Sequence, residues 1–391
     1  MARSSAKDVF VVVHRYVGLA SLLFLFLAAA SGCVLIFFNT LDATLNPDLF
    51  RCKNSGAVLS APVLAGIIQR EHSDIRVVSL PLQVGATRNV EMKVVSRSLA
   101  PIGYDEIYVN PHDGRLVATR DDEAIVFDRH HIMPMIYIFH YTLLAGDFGR
   151  LFMGAVAVIW LLENLMGFYL TLPRKPPFWT RWKTMWQIRR GTAWPRFLLD
   201  LHQASGLWLF AALVLYSITS FSLNFYYEAV APAVLAISPR EISPFDAPSR
   251  YNPVAHLPTL SFGDALALGR RAAISHDLKE KPAWLTYNAS HGLYAVEFTP
   301  DGAATYSGYG PIAYYFDDHS GAFIFTDDPG ADSTGQWLLR SIFPLHSGQI
   351  GGWITEAIVF ILGLSVMEMC VSGLIVWWKK RRPRKAAKRA L

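Results

Sequence analysis

Four stretches of this sequence are long and apolar enough to cross a bilayer, which takes about 20 residues of helix. Tyr16 to Leu41 and Leu201 to Tyr227 carry no charge, Leu151 to Pro173 carries only Glu163, and Ala357 to Trp378 only Glu368. With 52% hydrophobic and 17% charged residues, the chain is too apolar for an ordinary soluble enzyme of 391 residues. The expectation is a four-span α-helical membrane protein in a lipid bilayer.

Charge sets the expected orientation. Between Arg174 and Arg196 there are seven Lys or Arg and no acid, and the tail from Lys379 holds eight more in thirteen residues. The long segments after the first and third spans are mixed in charge. The positive-inside rule then places both termini and the 174–196 loop in the cytoplasm, and both long segments outside. The tail Lys379–Arg389 invites a nucleic-acid reading. The adjoining span makes it a stop-transfer and lipid-contacting tail instead, and no nucleic-acid partner is expected. Ala30-Ser31-Gly32-Cys33 loosely resembles a processing site, but the apolar run continues to Phe38, so the first stretch reads as a span. Cys33 and Cys370 lie inside spans, Cys52 stands alone, and there is no C-x-x-C-H for covalent haem attachment.

The chain is an internal tandem duplication, each half running span, outer module, span. His14 and His202 each sit seventeen residues before a small polar residue, Ser31 and Thr219, at the head of spans one and three. The turns Asn110-Pro111-His112-Asp113-Gly114 and Asp317-Asp318-His319-Ser320-Gly321 also match. Gly114 precedes His140 by 26 residues and Gly321 precedes His346 by 25, while His140 precedes Gly167 and His346 precedes Gly373 by the same 27. The halves keep one topology and are parallel repeats.

The expected layout is span 1 (1–41), outer α+β module 1 (42–136), span 2 with a preceding interfacial segment (137–173), a basic loop (174–196), span 3 (197–227), outer α+β module 2 (228–340), span 4 (341–378) and a basic tail (379–391). In module 1 a helix over Ala61–Arg70 precedes strands at Ile75–Pro81, Val90–Ser96, Tyr104–Val109 and Arg115–Thr119. In module 2 Ser261 caps a helix through Ala273, with strands at Ala283–Tyr287, Tyr294–Thr299, Ile312–Phe316 and Ala322–Thr326.

Polar groups at membrane depth are costly and mark function. Four histidines at repeat-matched positions, His14 and His202 on the cytoplasmic side and His140 and His346 on the outer side, are candidate axial ligands of b-type haem. Two haems are expected, one held by His14 and His202 and the other by His140 and His346. Arg15 and Arg150 are candidate partners for propionates. Gly18, Gly32, Gly167, Gly206 and Gly373 permit close approach of helices. Glu163 and Glu368 are candidates for handling a proton or a quinol, though at non-equivalent repeat positions. A straight helix would leave His140 roughly 15 Å outside the bilayer. The glycines at 146 and 149, and at 348, 351 and 352, are therefore expected to break their helices.

The remaining histidines carry less. His112 and His319 read as turn residues, and His72, His256, His276 and His291 as surface residues. His130-His131 with Met133 and Met135 is a weak metal candidate. The stretch Tyr306 to Phe316, with Tyr309, Tyr314 and Tyr315, reads as sheet packing or as a dock. No G-x-G-x-x-G after a strand and no P-loop is present, so electrons must come from a quinol or a cytoplasmic reductase.

These elements resemble the PepSY-associated transmembrane family of bacteria. The matching motifs are His14-Arg15-Tyr16-Val17-Gly18-Leu19, His202-Gln203-Ala204-Ser205-Gly206-Leu207, Phe139-His140-Tyr141-Thr142-Leu143-Leu144-Ala145-Gly146 and Leu345-His346-Ser347-Gly348, and the outer turns resemble the strand-turn-strand ends of PepSY modules. The likeness covers essentially the whole chain and is greatest to inner-membrane ferrisiderophore reductases of the FoxB type. It implies two periplasmic PepSY-like domains, haem b, a ferric siderophore as substrate and a location in the bacterial inner membrane. The alternatives are a non-enzymatic membrane sensor or peptidase regulator, and a siderophore or iron permease.

Overall fold

The computed structural model describes residues 6–98, 100–305 and 308–389, with side chains through Arg381. The chain divides into a helical unit (residues 1–37, 136–233 and 342–391) and a sheet unit (38–135 and 234–341).

Among the described residues, three helices of the helical unit are long and apolar enough to cross a membrane: Ala6–Leu35, Gly146–Thr171 and Trp353–Arg381. The third expected span is a bent pair, Trp194–Trp208 followed by Phe210–Asn224, turning by 70° at Leu209. Taken together the pair is apolar enough for a fourth span. The break follows Ser205-Gly206, where the Leu209 N–H reaches Ser205 O and Leu207 O; a Ser-Gly pair is a common seat of sharp kinks. The first span is shorter than expected, ending at Leu35, and the helix Phe38–Leu45 belongs to the sheet unit. The first span packs on the second and fourth, the second on Phe210–Asn224, and the fourth on Trp194–Trp208. At the basic end Arg174 pairs with Asp8 at 2.6 Å, tying the foot of span two to the head of span one. Arg189 and Arg196 both reach the buried Asp200, at 2.8 and 3.0 Å.

The two α+β modules, expected to be separate, share one antiparallel sheet. Its strands are β1 (Ile75–Pro81), β2 (Val90–Ser96), β3 (Glu106–Val109), β4 (Leu116–Arg120), β5 (Lys281–Asn288), β6 (Leu293–Thr299), β7 (Ile312–Asp317) and β8 (Phe323–Asp327), in the order β4-β3-β2-β1-β5-β6-β7-β8. The halves join where β1 meets β5, with Ser79 opposite Thr286, Leu80 opposite Leu285 and Pro81 opposite Trp284. The helices Ala61–Glu71 and Phe262–Ser275 cover this sheet with a common core of Leu64, Ile68, Val77, Met92, Phe262, Val296 and Phe298. Ser261 caps the second helix in a reciprocal box with Asp264, satisfying amides that the first turn leaves open.

The matched turns are built alike. Asn110 Oδ1 accepts from the His112 N–H and Asp317 Oδ1 from the His319 N–H. Gly114 and Gly321 close each turn at φ 77° and 70°, a region that side chains avoid.

Candidate functional site

Each half of the helical unit folds a histidine back into the bundle. The helix Ile132–Thr142 carries His140 and stops at Leu143 and Leu144, held at φ 53° and 60°, before Gly146 starts the second span at φ 56°. Positive φ in leucine is rare, and the surrounding structure must hold it. In the second half the helix Thr334–Ser347 carries His346 and ends at Gly348, with φ 84°, ahead of the helix that starts at Trp353. The expected helix breaks are therefore present. They set His140 beside Ser31 and Gly32 of the first span: a Cβ on Gly32 would lie 3.1 Å from His140 Cε1. His140 is thus not carried outward on a straight helix.

Each imidazole has a defined neighbour at Nδ1. His202 Nδ1 lies 3.0 Å from Met369 O and 3.1 Å from Ser372 Oγ. His140 Nδ1 lies 3.0 Å from Ser31 Oγ, and His346 Nδ1 lies 3.1 Å from Thr219 Oγ1. The Ser31 and Thr219 hydroxyls donate their own hydrogens to helix carbonyls, Leu27 O at 2.7 Å and Tyr216 O at 3.1 Å. Their lone pairs remain to accept from the rings. A carbonyl also only accepts, so these three Nδ1 atoms carry the proton and Nε2 keeps a lone pair. His14 Nδ1 stands 2.6 Å from Glu163 Oε2, at contact distance but not aligned as a hydrogen bond. Partners of this kind orient imidazoles for metal binding through the other nitrogen.

The four rings form two facing pairs. His14 and His202 have ring centroids 6.5 Å apart, inclined at 65°, and His140 and His346 have centroids 6.2 Å apart, inclined at 53°. An ion bonded to two imidazoles at about 2 Å, with about 1.1 Å from nitrogen to ring centre, sets the centroids about 6.2 Å apart. At either spacing the two rings could share one metal ion. Gly167 and Gly373 make room for the first pair: a Cβ on either would stand 3.4 Å from Cε1 of His14 or His202.

Glu163 and Glu368 both lie near the His14–His202 pair. Glu163 Oε1 is buried without a hydrogen bond. The Glu368 carboxyl lies beside Ser205 and Ser372, and neither of its oxygens closes a hydrogen bond. Ser372 also touches His202, so the two acids flank one pair from opposite rings. Arg150 is committed elsewhere, reaching Glu228 at 2.5 Å, Asp147 at 3.2 Å and the Asn224 carbonyl. Arg15, next to His14, is half-buried, with no ion pair among the described residues. An open groove of about 640 Å³ is lined by Trp186, Arg189 and Arg190 of the basic loop and by Phe197 and Trp208 of the helix that carries His202.

The description of the PepSY-associated TM region matches residues 11–380, nearly the whole chain. The chain belongs to that family. No curated protein matches it in sequence. As a PepSY-associated TM protein with several apolar helices, it is a multi-pass membrane protein.

Other candidates in this PepSY-associated TM protein divide clearly. His130 and His131 serve different carboxylates, Asp48 at 2.9 Å and Asp128 at 2.7 Å, and the Met133 beside them is buried. Tyr314 is a core residue between Phe298 and Phe323, which leaves it no part in a dock. Tyr315 packs on Phe245 and Phe325, and Tyr309 on Trp337. Tyr306 lies outside the described residues. His112 sets its ring nitrogens 3.1 and 2.9 Å from the carbonyls of Ala57 and Ala86, as a turn residue should. His319 does not follow it, because it gathers with His256 around the buried Asp318. Sequence reading missed this cluster, and the only signal for it was the adjacent Asp318-His319 in the turn.

Proposed function

We propose that this protein is a transmembrane electron carrier with two b-type haems, which reduces ferric siderophore iron to ferrous iron on the outer face of the bacterial inner membrane. The observation that supports it most is the meeting of four repeat-matched imidazoles as two pairs, with centroids 6.5 and 6.2 Å apart and Nδ1 hydrogen-bonded in three of the four. His14 and His202 would hold one haem, and His140 and His346 the other. Haem supplies an iron that accepts and releases one electron at a time. The chain's part is to fix the rings, keep each Nε2 lone pair open and exclude water. Ser31, Thr219 and Met369 would do this by holding Nδ1 of three rings, and Glu163 sets its carboxyl against Nδ1 of His14. Arg15 remains a candidate for a propionate; the ion pairs of Arg150 argue against that role for it.

Electrons would come from a quinol or a cytoplasmic reductase, with the Trp- and Arg-lined groove beside the His202 helix as a docking place. Both termini would lie in the cytoplasm, as the basic loop and tail favour. One electron per ferric ion releases iron, because hard oxygen chelators hold Fe(II) far more weakly than Fe(III).

An optical spectrum of the purified protein tests the haem reading. A Soret band with low-spin bis-imidazole features is expected, with about half the haem lost on His→Ala at any of the four positions. A colourless protein, or four variants that all keep full absorbance, would refute it. Ferric-chelate reduction by haem-loaded vesicles given an internal donor tests the substrate. Chelate uptake with no donor would point to a permease, and haem-free binding of peptides by the outer modules to a sensor.

A further inference from the structure

We propose that the turn between β7 and β8 holds a divalent transition-metal ion, bound by His256, Asp318 and His319. The site lies wholly in the sheet unit and does not depend on the histidine pairs of the spans.

His256 Nε2 is 2.6 Å from Asp318 Oδ2, and His319 Nδ1 is 2.7 Å from Asp318 Oδ1. One donor atom from each of the three residues falls within 4.8 Å of the others. Donors bonded to one ion at about 2 Å lie within about 4 Å of one another. The rings and carboxylate therefore need only small shifts to admit an ion in place of the direct contacts. Two imidazoles and one carboxylate suit Zn(II) or Fe(II) and disfavour the hard ions Mg(II) and Ca(II), which take oxygen ligands.

The carboxylate is built in rather than left on the surface. Asp318 is fully buried. Its N–H donates to Gly292 O at 2.9 Å, and its carbonyl accepts from Thr259 and Leu260 at 3.1 and 3.0 Å. Tyr287 donates its hydroxyl to Oδ2 at 2.8 Å. The His256 ring stacks on Tyr251 at 3.8 Å. Arg76 holds the His256 segment through the carbonyls of Pro253 and His256. This is the layer of supporting contacts that a metal site needs around its ligands. His319 is half exposed, which leaves a way in for the ion.

The duplication supplies an internal contrast. In the matching turn of the first half Pro111 stands where Asp318 does, and His112 turns to backbone carbonyls. The turn fold therefore does not require the cluster.

The test uses the full-length protein in detergent, stripped with a chelator and dialysed against Zn(II) alone, with bound zinc counted by elemental analysis. One zinc per chain is expected beyond that kept by the double variant His256→Gln/His319→Gln. His319→Gln alone changes an exposed ring without disturbing the core, and should weaken that zinc at least tenfold. His112→Gln should leave it unchanged. Zinc-edge absorption should show only nitrogen and oxygen neighbours. The proposal is overturned if the double variant keeps the same zinc count, if the wild-type protein takes up none, or if sulfur appears around the zinc. Counting zinc keeps the result apart from any haem iron, so a colourless protein that binds this zinc would sink the electron-carrier reading and leave the metal site standing.

Discussion

Glu163 meets His14 at 2.6 Å, whereas Met369, which follows His346 by the same 23 residues as Glu163 follows His140, gives His202 only its backbone carbonyl. The two halves thus differ at one imidazole, which meets a carboxyl in one and a backbone carbonyl in the other. A carboxylate at Nδ1 makes the ring a stronger donor and favours the oxidised metal. With two haems bound, the His14–His202 centre should have the lower midpoint potential. Glu163→Gln should raise that potential by tens of millivolts and leave the His140–His346 centre unmoved. Redox titration followed optically checks this, and an unchanged or lowered potential counts against it.

Ser31 and Thr219 hold His140 and His346 by single hydroxyl contacts of 3.0 and 3.1 Å. If the two pairs hold haem as proposed, Ser31→Ala or Thr219→Ala should weaken it at that pair about 10–100-fold, the usual cost of losing a supporting contact to a ligand. The His14–His202 haem should stay. Competition against apomyoglobin, read from the two spectral components, separates the sites. Equal loss from both would contradict the assignment.

Arg120 lies buried between Glu106 at 2.6 Å and Asp42 at 2.8 Å, with Asp122 at 3.0 Å. Removing one member of a buried ion cluster leaves uncompensated charge and costs about 3–5 kcal/mol. Arg120→Ala should lower the melting temperature of the sheet unit sharply while the spans keep their helicity. Calorimetry with circular dichroism would detect this, and a loss within 1 kcal/mol would show the cluster to be hydrated.

Removal from water and the nearby Glu106 carboxylate push Glu91 up to about 8. An unfolded chain ionises the same group near its ordinary value of about 4.3. Between those two values the folded state binds more protons, so this group's contribution to stability is full below the lower value and declines as pH rises toward 8. Denaturant midpoints of the sheet unit should therefore fall from pH 5 to pH 8, and Glu91→Gln should flatten the profile. A wild-type profile that rises across this window would reverse the sign.

Much of the helical unit was legible because duplication wrote its candidate residues twice. Spacing alone matched His14 with His202, His140 with His346, and Ser31 with Thr219, and the glycines after His140 and His346 announced the helix breaks. The bend at Leu209 was not legible, because Ser205-Gly206 inside an apolar run reads equally as a packing site for a neighbouring helix. The ion pair of Arg150 was not legible: Glu228 lies 78 residues away in the chain, beyond any periodicity. The strands of both modules were readable from alternation, but the β1–β5 pairing was hidden, since alternation names a strand's faces and not its neighbour. The His256–Asp318–His319 cluster was missed for the same reason. Its members come from a loop and a turn whose meeting depends on the sheet order.

The pairing of β1 with β5 has a consequence for descent and engineering. Ser79 faces Thr286, 207 residues later, and Gly114 and Gly321 are separated by the same distance. The strand therefore lies antiparallel to its own copy, and among the spans His14 meets His202 and His140 meets His346 in the same copy-to-copy manner. Self-complementary contact of this kind is what an isologous dimer makes. A half-length chain would have to dimerise to close either the sheet or a two-histidine centre, and fusion of the halves then freed each copy to diverge, as Glu163 against Met369 and Asp318 against Pro111 have done.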